Sequence, residues 1–264
     1  MKLDGKTIVI TGAGAPNGIG AALARRFKAA GAANLYLADI DEAGVKAVAE
    51  EVGGIGMGCD VTDEAQVKAL IERAENETAG IDLMCSNAGI ALMDGPNAGV
   101  EGSSNEDWER AWQVNLMAHV YAARACLPGM IGRGGGYFLH TASAAGLLSQ
   151  IGSATYSVTK HAAVGFGESL AIAHGHQGIK VSLLCPQGVV TNMTAGASGD
   201  KDAAAADGMI TPEELADCVV QGIDDESFLI LPHPQVKDYM QGKTADYDRW
   251  IGGMIRFRNK LAGG

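Results

Sequence analysis

Short runs of consecutive apolar residues alternate along the chain with longer stretches whose apolar positions recur every three to four residues. The runs KTIVITG (6–12), NLYLADI (34–40), IGMGCDV (55–61), IDLMCSNAG (81–89), GGYFLHTASA (135–144), IKVSLLCPQG (179–188) and SFLILP (227–232) read as strands. Between them, IGAALARRFKAAG (19–31), DEAGVKAVAEEV (41–52), DEAQVKALIERAENETAG (63–80), the segment 105–132, the segment 154–176 around YSVTK and TPEELADCVVQGI (211–223) carry helical spacing. The segment 105–132 reads as one long helix. Strands that are apolar without alternation are covered on both faces, and strand–helix alternation with right-handed crossovers builds a parallel sheet. The expectation is a Rossmann-like, doubly wound α/β sheet of about seven strands with helices on both faces. No Pro- or Ser-rich linker interrupts the alternation, so residues 1–264 are expected to form a single domain. The unpatterned Ala/Gly/Asp-rich stretch at about 193–211 reads as a lid, and about 233–264 as a helical tail.

In such a sheet, ligands sit at the carboxyl ends of the strands. There the first strand runs into TGAGAPNGIG (11–20), a glycine-rich turn opening a helix. Glycines let a backbone approach a pyrophosphate, and a helix N-terminus offers N–H groups and a positive dipole end. The second strand ends in Asp39, placed to accept hydrogen bonds from ribose hydroxyls. A carboxylate there repels a 2′-phosphate, and neither Ile40 nor Asp41 nor the loop offers a cation to offset it. The sign of the local charge points to NAD rather than NADP.

Charge and composition narrow the remaining classes. Lys and Arg number 20 against 31 Asp and Glu, a formal net charge of −11, which argues against a nucleic-acid partner. The basic, aromatic run DRWIGGMIRFRNK (248–260) reads as an amphipathic helix or tail. No apolar run reaches the length of a membrane span, and the N-terminal MKLDGKTIVITG passes straight into a strand pattern without a signal peptide. The five cysteines, an odd number without a CxxC pair, fit reduced thiols in a cytoplasmic protein. No Cys/His cluster has metal-ligand spacing, so no metal is expected. Cys59, Cys85 and Cys185 fall near strand ends and read as packing residues.

Tyr156 and Lys160 stand four residues apart in YSVTK. On a helix they share one face, one turn from each other. A phenol of pKa about 10 is a poor base near neutrality, and a neighbouring ammonium favours its ionised form.

Collected in order, these residues make the chain resemble the short-chain dehydrogenase/reductase family, in its short single-domain branch, from about residue 5 to 232. The resemblance is carried by Gly12, Gly18, Ile19 and Gly20, by Asp39, Asp60-Val61, Asn87-Ala88-Gly89, Asn115 and Ser143, by Tyr156 and Lys160, and by PQGVVT (186–191). It implies that Tyr156 is the acid/base, that Lys160 lowers its pKa and binds the nicotinamide ribose, that Ser143 bonds the substrate oxygen, and that Asn115 holds a water near Lys160. It also implies a cofactor cleft built from the glycine loop with Asn17, Asp39 and Ile40, from Asp60 and Val61 at the adenine, from Asn87, Ala88 and Gly89, and from Pro186, Gly188, Val189 and Thr191. Two departures stand out. Five residues separate Gly12 from Gly18 where the family usually has three, and Gln187 follows Pro186 where the family usually has glycine.

Substrate walls are expected from the segments after the fourth, fifth and sixth strands, with Met93, Leu147, Gln187 and Met193 beside Ser143 and Tyr156. Gln187 either enters this pocket or points to solvent. With a single cation, Lys201, in those segments, a neutral, fairly hydrophobic secondary alcohol or ketone is the expected substrate. Small residues along 106–131 and 154–176 suit close helix pairing, and the family commonly assembles this way, so a homo-oligomer, tetramer or dimer, is expected. The alternatives are an epimerase or dehydratase that recycles its NAD, which would usually carry a larger C-terminal domain, and a non-enzymatic NAD-binding sensor, which would often lack Tyr156 or Lys160.

Overall fold

A computed structural model describes residues 1–94, 99–195 and 203–262. Seven strands, β1 (Thr7–Thr11), β2 (Asn34–Asp39), β3 (Ile55–Gly58), β4 (Leu83–Ser86), β5 (Gly136–Thr141), β6 (Ile179–Leu184) and β7 (Leu229–Ile230), pair in parallel in the order β3-β2-β1-β4-β5-β6-β7. The helices are α1 (Ile19–Ala29), α2 (Glu42–Val52), α3 (Glu64–Glu77), α4 (Asn105–Trp112), α5 (Ala118–Gly132), α6 (Ala154–His174), α7 (Pro212–Asp224), α8 (Gln235–Ala245) and α9 (Tyr247–Leu261).

Every residue of β1 is buried, as its unbroken apolar run requires. Ile8 and Ile10 pack with α1, α2 and α7 on one face of the sheet. Val9 joins Met84, Phe138 and residues of α3 and α5 on the other. The order reverses between β1 and β4, and the gap between the loops leaving these two strands opens the cleft at their carboxyl ends.

Two elements differ from the sequence expectation, and a third, the helical tail, is divided in two. The helix expected over 105–132 is broken at Gln113–Met117 by a π-helical turn that carries Asn115. The extra residue shifts the apolar pattern by a single position, and the many small residues of this segment hide so small a shift. The last strand is shortened to Leu229–Ile230, although Phe228 and Ile230 still accept bonds from Leu183 and Cys185. The C-terminal tail folds into two helices, and α9 starts where the Asp246 carboxylate accepts from the Arg249 N–H at 2.9 Å. Of the expected lid, 196–202 lie outside the described residues. Its described end is tied down, with Ile210 N donating to Gly188 O and Val190 N donating to Ile210 O.

All five cysteines are free, and four of them, Cys59, Cys85, Cys126 and Cys185, are buried. Burial pushes the thiols of Cys59 and Cys185 up to about 11 and about 12, so both stay protonated at neutral pH. Among the described residues no helix is long and apolar enough to cross a membrane, and no group of three His, Cys, Asp or Glu is placed to hold a metal.

Candidate active site

The loops leaving β1, β2, β4, β5 and β6 enclose one continuous cavity of about 570 Å³, running from Asp39 and Ile40 at one end to Met93 and Met193 at the other. Its first wall is the glycine loop. Gly12 has φ +69°, and a Cβ there would stand 2.7 Å from Ala88 Cα, so the turn requires glycine. Gly18 begins α1 with no side chain capping it, which leaves the first-turn N–H groups facing the cleft. Gly20 is buried against the Gly12 carbonyl, where any side chain would collide; it sets helix–strand packing and does not line the cavity. Asn17 is exposed and outside the lining as well.

The spacing departure in this loop resolves on Gly14, which sequence reasoning passed over. Three residues separate Gly14 from Gly18. Its N–H donates to Asp39 Oδ2 at 2.8 Å, and a Cβ at Gly14 would lie 2.7 Å from Asp39 Cγ. The other Asp39 oxygen accepts from Asp41 N at 3.0 Å. The carboxylate is thereby fixed at the cavity end, beside Ile40, Asp60 and Val61.

Asn87 ties three strand ends together. Its amide donates to the carbonyls of Thr11 and Gly12, each at 3.1 Å, and its oxygen accepts from Thr141 Oγ1 at 3.0 Å. Asn115, fully buried on the π-helical turn, bonds the main chain of Ile90 in both directions at 2.9 Å and donates to Thr159 Oγ1 at 3.1 Å. Its side chain therefore holds the segment after β4 and does not line the cavity. Gly89 sits between, where a Cβ would come within 3.2 Å of Lys160 Nζ and 3.3 Å of Asn115 Oδ1.

Helix α6 presents Tyr156 and Lys160 to the cavity together, with the ammonium 5.5 Å from the centroid of the phenol ring. Lys160 Nζ donates to Thr141 O at 2.9 Å, and burial brings its pKa down to about 8. Burial raises the Tyr156 phenol above its ordinary value, while the neighbouring Ser143 hydroxyl pulls it down. Desolvation is the largest influence on the phenol, and the Lys160 ammonium is aimed at the Thr141 carbonyl. Ser143 follows β5 and caps a single 3-10 turn, its Oγ accepting from Ala145 N at 3.1 Å.

On the substrate side, Met93 and Met193 line the cavity, 65% and 52% exposed. Leu147 does not: the turn at Ala144–Gly146 rotates it into the cluster of Ala142, Val164, Leu183 and Cys185, and Leu148 takes the lining position. Gln187 lines the cavity while its amide donates to Asp207 Oδ2 at 3.0 Å. Asp207 also accepts from Tyr239 Oη at 3.0 Å, which ties the lid's described end to α8. Pro186, Val189 and Thr191 line the same region and Gly188 does not. Arg110 of α4 reaches the cavity, a cation that the loop segments alone could not reveal.

Fold and site together define a dinucleotide-fold oxidoreductase: a reversed strand order, a glycine cradle under a helix N-terminus, and a phenol beside an ammonium at the far end. Comparison with known proteins agrees. The sequence profile described as short chain dehydrogenase matches residues 6–202. The meso-2,3-butanediol dehydrogenase of Serratia marcescens is 34% identical over 199 residues, covering 74% of this chain and 76% of that one. The 1-deoxy-11-beta-hydroxypentalenate dehydrogenase of Streptomyces exfoliatus is 31% identical over 257 residues, 95% of this chain and 91% of that one. Among solved structures, a short chain dehydrogenase/reductase from Burkholderia phymatum in complex with NAD superposes with a TM-score of 0.83 at 29% identity, covering 94% of this chain and 96% of that one. The chain belongs to the short-chain dehydrogenase/reductase family.

Proposed function

We propose that the protein is an NAD-dependent dehydrogenase/ketoreductase that interconverts a secondary alcohol and a ketone, with Tyr156 as the acid/base. The observation that carries this reading is the placement of Tyr156, Lys160 and Ser143 on one cavity wall, in the same continuous space as Asp39 and the glycine loop. The cradle fits a dinucleotide: Gly12 and Gly14 leave no room for side chains, the N-terminus of α1 is uncapped, and the Asp39 carboxylate is held against Gly14. Gly12, Gly18, Ile19, Asp39, Asp60, Val61, Asn87, Ala88 and Gly89 would hold it, with Val189 and Thr191 at the nicotinamide. When bound, NAD supplies the hydride acceptor, or as NADH the donor.

The chain's own residues handle the proton. The Tyr156 phenol, kept protonated at neutral pH by burial, is the acid that delivers a proton to a ketone oxygen. In alcohol oxidation the phenolate accepts that proton. Ser143 hydrogen-bonds the same oxygen and fixes its distance from the phenol. Lys160, anchored on Thr141 O, places positive charge beside the ring and stabilises the phenolate as it forms.

The substrate reading is a neutral, fairly hydrophobic secondary alcohol or ketone. Its apolar character is supported by the walls Met93, Leu148 and Met193, and its hydroxyl by two relatives named for hydroxyl-bearing compounds, a diol and a hydroxy acid anion. Arg110 on α4 lines the same cavity and is its cation besides Lys160 among the described residues. Assembly as a homo-oligomer is part of the same reading, supported by the small residues of α5 and α6.

The test is an NADH absorbance screen across secondary alcohols, followed by Tyr156→Phe on the best of them. Net NADH release separates this reading from a cofactor-recycling epimerase. The variant is expected to bind NADH as the wild type does and to lose turnover by about 100-fold or more; near-normal turnover would overturn the acid/base role.

A further inference from the structure

The last helices lie beyond residues 6–202, the part of the chain that the family profile matches. One side chain from them reaches back to the catalytic loop. Lys243, near the end of α8, is 8% exposed. Its Nζ donates to Leu147 O at 2.8 Å and to Leu148 O at 2.9 Å, and lies 3.4 Å from His161 Nε2. His161 Nδ1 is 2.8 Å from Ser157 O. Donation from Nδ1 to that carbonyl leaves a lone pair on Nε2 facing the ammonium. All three ammonium protons then have acceptors. The rings of Trp250 and Tyr247 on α9 cover the remaining side, with centroids 5.0 and 5.7 Å from Nζ. Burial alone lowers the ammonium's pKa, so an ammonium here depends on these partners.

The two carbonyls stand at and just past the end of the 3-10 turn whose beginning Ser143 caps, Leu147 being its C-cap and Leu148 the residue after it. The last carbonyls of a helical turn have no partner within it, and a lysine can satisfy them. Lys243 is thus the far cap of the turn that starts at Ser143. Just past it, Leu148, Ser149 and Gln150 line the cavity, and Gln150 N donates to Ser157 Oγ at 2.6 Å on α6. The ammonium therefore joins the C-terminal helices, the loop after β5 and the helix of Tyr156 at one point.

We infer that Lys243 is a positioning residue: through the carbonyls of Leu147 and Leu148 it sets the loop that fits the substrate against Ser143 and Tyr156. This rests on the reading of Tyr156 and Ser143 as the reacting groups. The C-terminal helices thereby contribute to substrate fit without lining the cavity.

The test is Lys243→Met, which keeps the length of the stem and removes the donors, assayed with the secondary alcohol that wild type oxidises fastest. KM is expected to rise about tenfold while kcat stays within about twofold and NADH affinity, read by fluorescence, is unchanged; Lys243→Arg is expected to recover KM to within about threefold. An unchanged KM, or kcat and NADH affinity falling in step with KM, overturns the inference. Should Lys243→Met fail to fold, Trp250→Leu, which opens one side of the ammonium, is expected to raise KM about threefold, and an unchanged KM overturns it equally. Should wild type oxidise no alcohol, the proposed reaction fails on its own, and amide exchange of the NADH-saturated protein decides whether Lys243 holds the loop. Amides 146–150 are then expected to exchange about tenfold faster in Lys243→Met with those of β1 unchanged, and equal exchange overturns it.

Discussion

The backbone N–H of Gly14 donates to the carboxylate of Asp39 across the mouth of the cofactor cleft, at 2.8 Å. A turn glycine and a strand-end acid are thereby one unit. The glycine is small because the acid is close, and the acid is oriented because the glycine's N–H holds it.

Substituting Gly14→Ala puts a methyl group 2.7 Å from Asp39 Cγ, closer than carbon atoms tolerate, so the loop or the carboxylate must move. Dinucleotide affinity is expected to weaken about tenfold while the melting temperature changes by only a few degrees. Titration calorimetry and a thermal melt check the two halves separately.

Removing the charge with Asp39→Ser takes away the repulsion toward a 2′-phosphate. The ratio of kcat/KM with NAD to that with NADP is expected to fall about 100-fold, close to 2.7 kcal/mol of discrimination. Steady-state kinetics with both coenzymes decides it, and a more efficient use of NADP by the wild type would overturn the assignment of NAD.

The phenol of the half-buried Tyr156 lies above its ordinary pKa because the surrounding protein desolvates it. A group with a raised pKa holds its proton through neutrality and gives it up only at alkaline pH. Ketone reduction, which needs the proton on the phenol, is expected to run at neutral pH and decline as pH rises. Alcohol oxidation, which needs it off, is expected to gain up to about tenfold per pH unit below the controlling pKa. Opposite slopes in the two directions, recorded as log kcat/KM against pH, check this.

Asn115 satisfies the main chain of Ile90 in both directions from a fully buried position. Asn115→Ala leaves that N–H and C=O without their partner. The variant is expected to lose about 2–4 kcal/mol of stability in urea denaturation, because unpaired buried polar groups carry their full desolvation cost.

His119 and His140 pack edge to face between β5 and the helices, their Nδ1 atoms 2.9 Å apart and both Nε2 atoms buried without a partner. Burial holds His140 down to about 3 and His119 well below its usual value, so both are neutral in the native state. The unfolded chain takes up these protons near pH 6.5, so stability falls as pH drops below that value and goes on falling toward the folded-state pKa values. The pair is expected to contribute a slope of up to about 2.7 kcal/mol per pH unit in this window, roughly halved by His140→Phe, as measured by urea midpoints between pH 7 and 4.5.

Much of the site could be read from spacing. The positions of Tyr156 and Lys160 on one helical face follow from their separation, and Asp39 from the end of an apolar run. The glycine loop could not: spacing alone does not single out Gly14, and only its contact with Asp39 shows that this position also requires glycine. Leu147 and Leu148 are equivalent to any pattern, and the handedness of one 3-10 turn decides which of them faces the cavity. The π-helical turn under Asn115 shifts the apolar pattern by a single position, which the small residues around it hide.

What the chain determined by itself is whatever the backbone repeats locally: which runs become strands, which faces of helices are apolar, which residues lie one turn apart. Strand twist and right-handed crossovers then leave little freedom in the order of the sheet. What only the tertiary structure decided are the meetings between distant segments, such as the Lys243 ammonium with carbonyls 95 and 96 residues earlier, and the two histidines that share one hydrogen bond in the core. Those approaches depend on how whole elements pack, and so does the balance between burial and charge that sets the proton on Tyr156, since desolvation is a property of everything surrounding a group rather than of its neighbours in sequence.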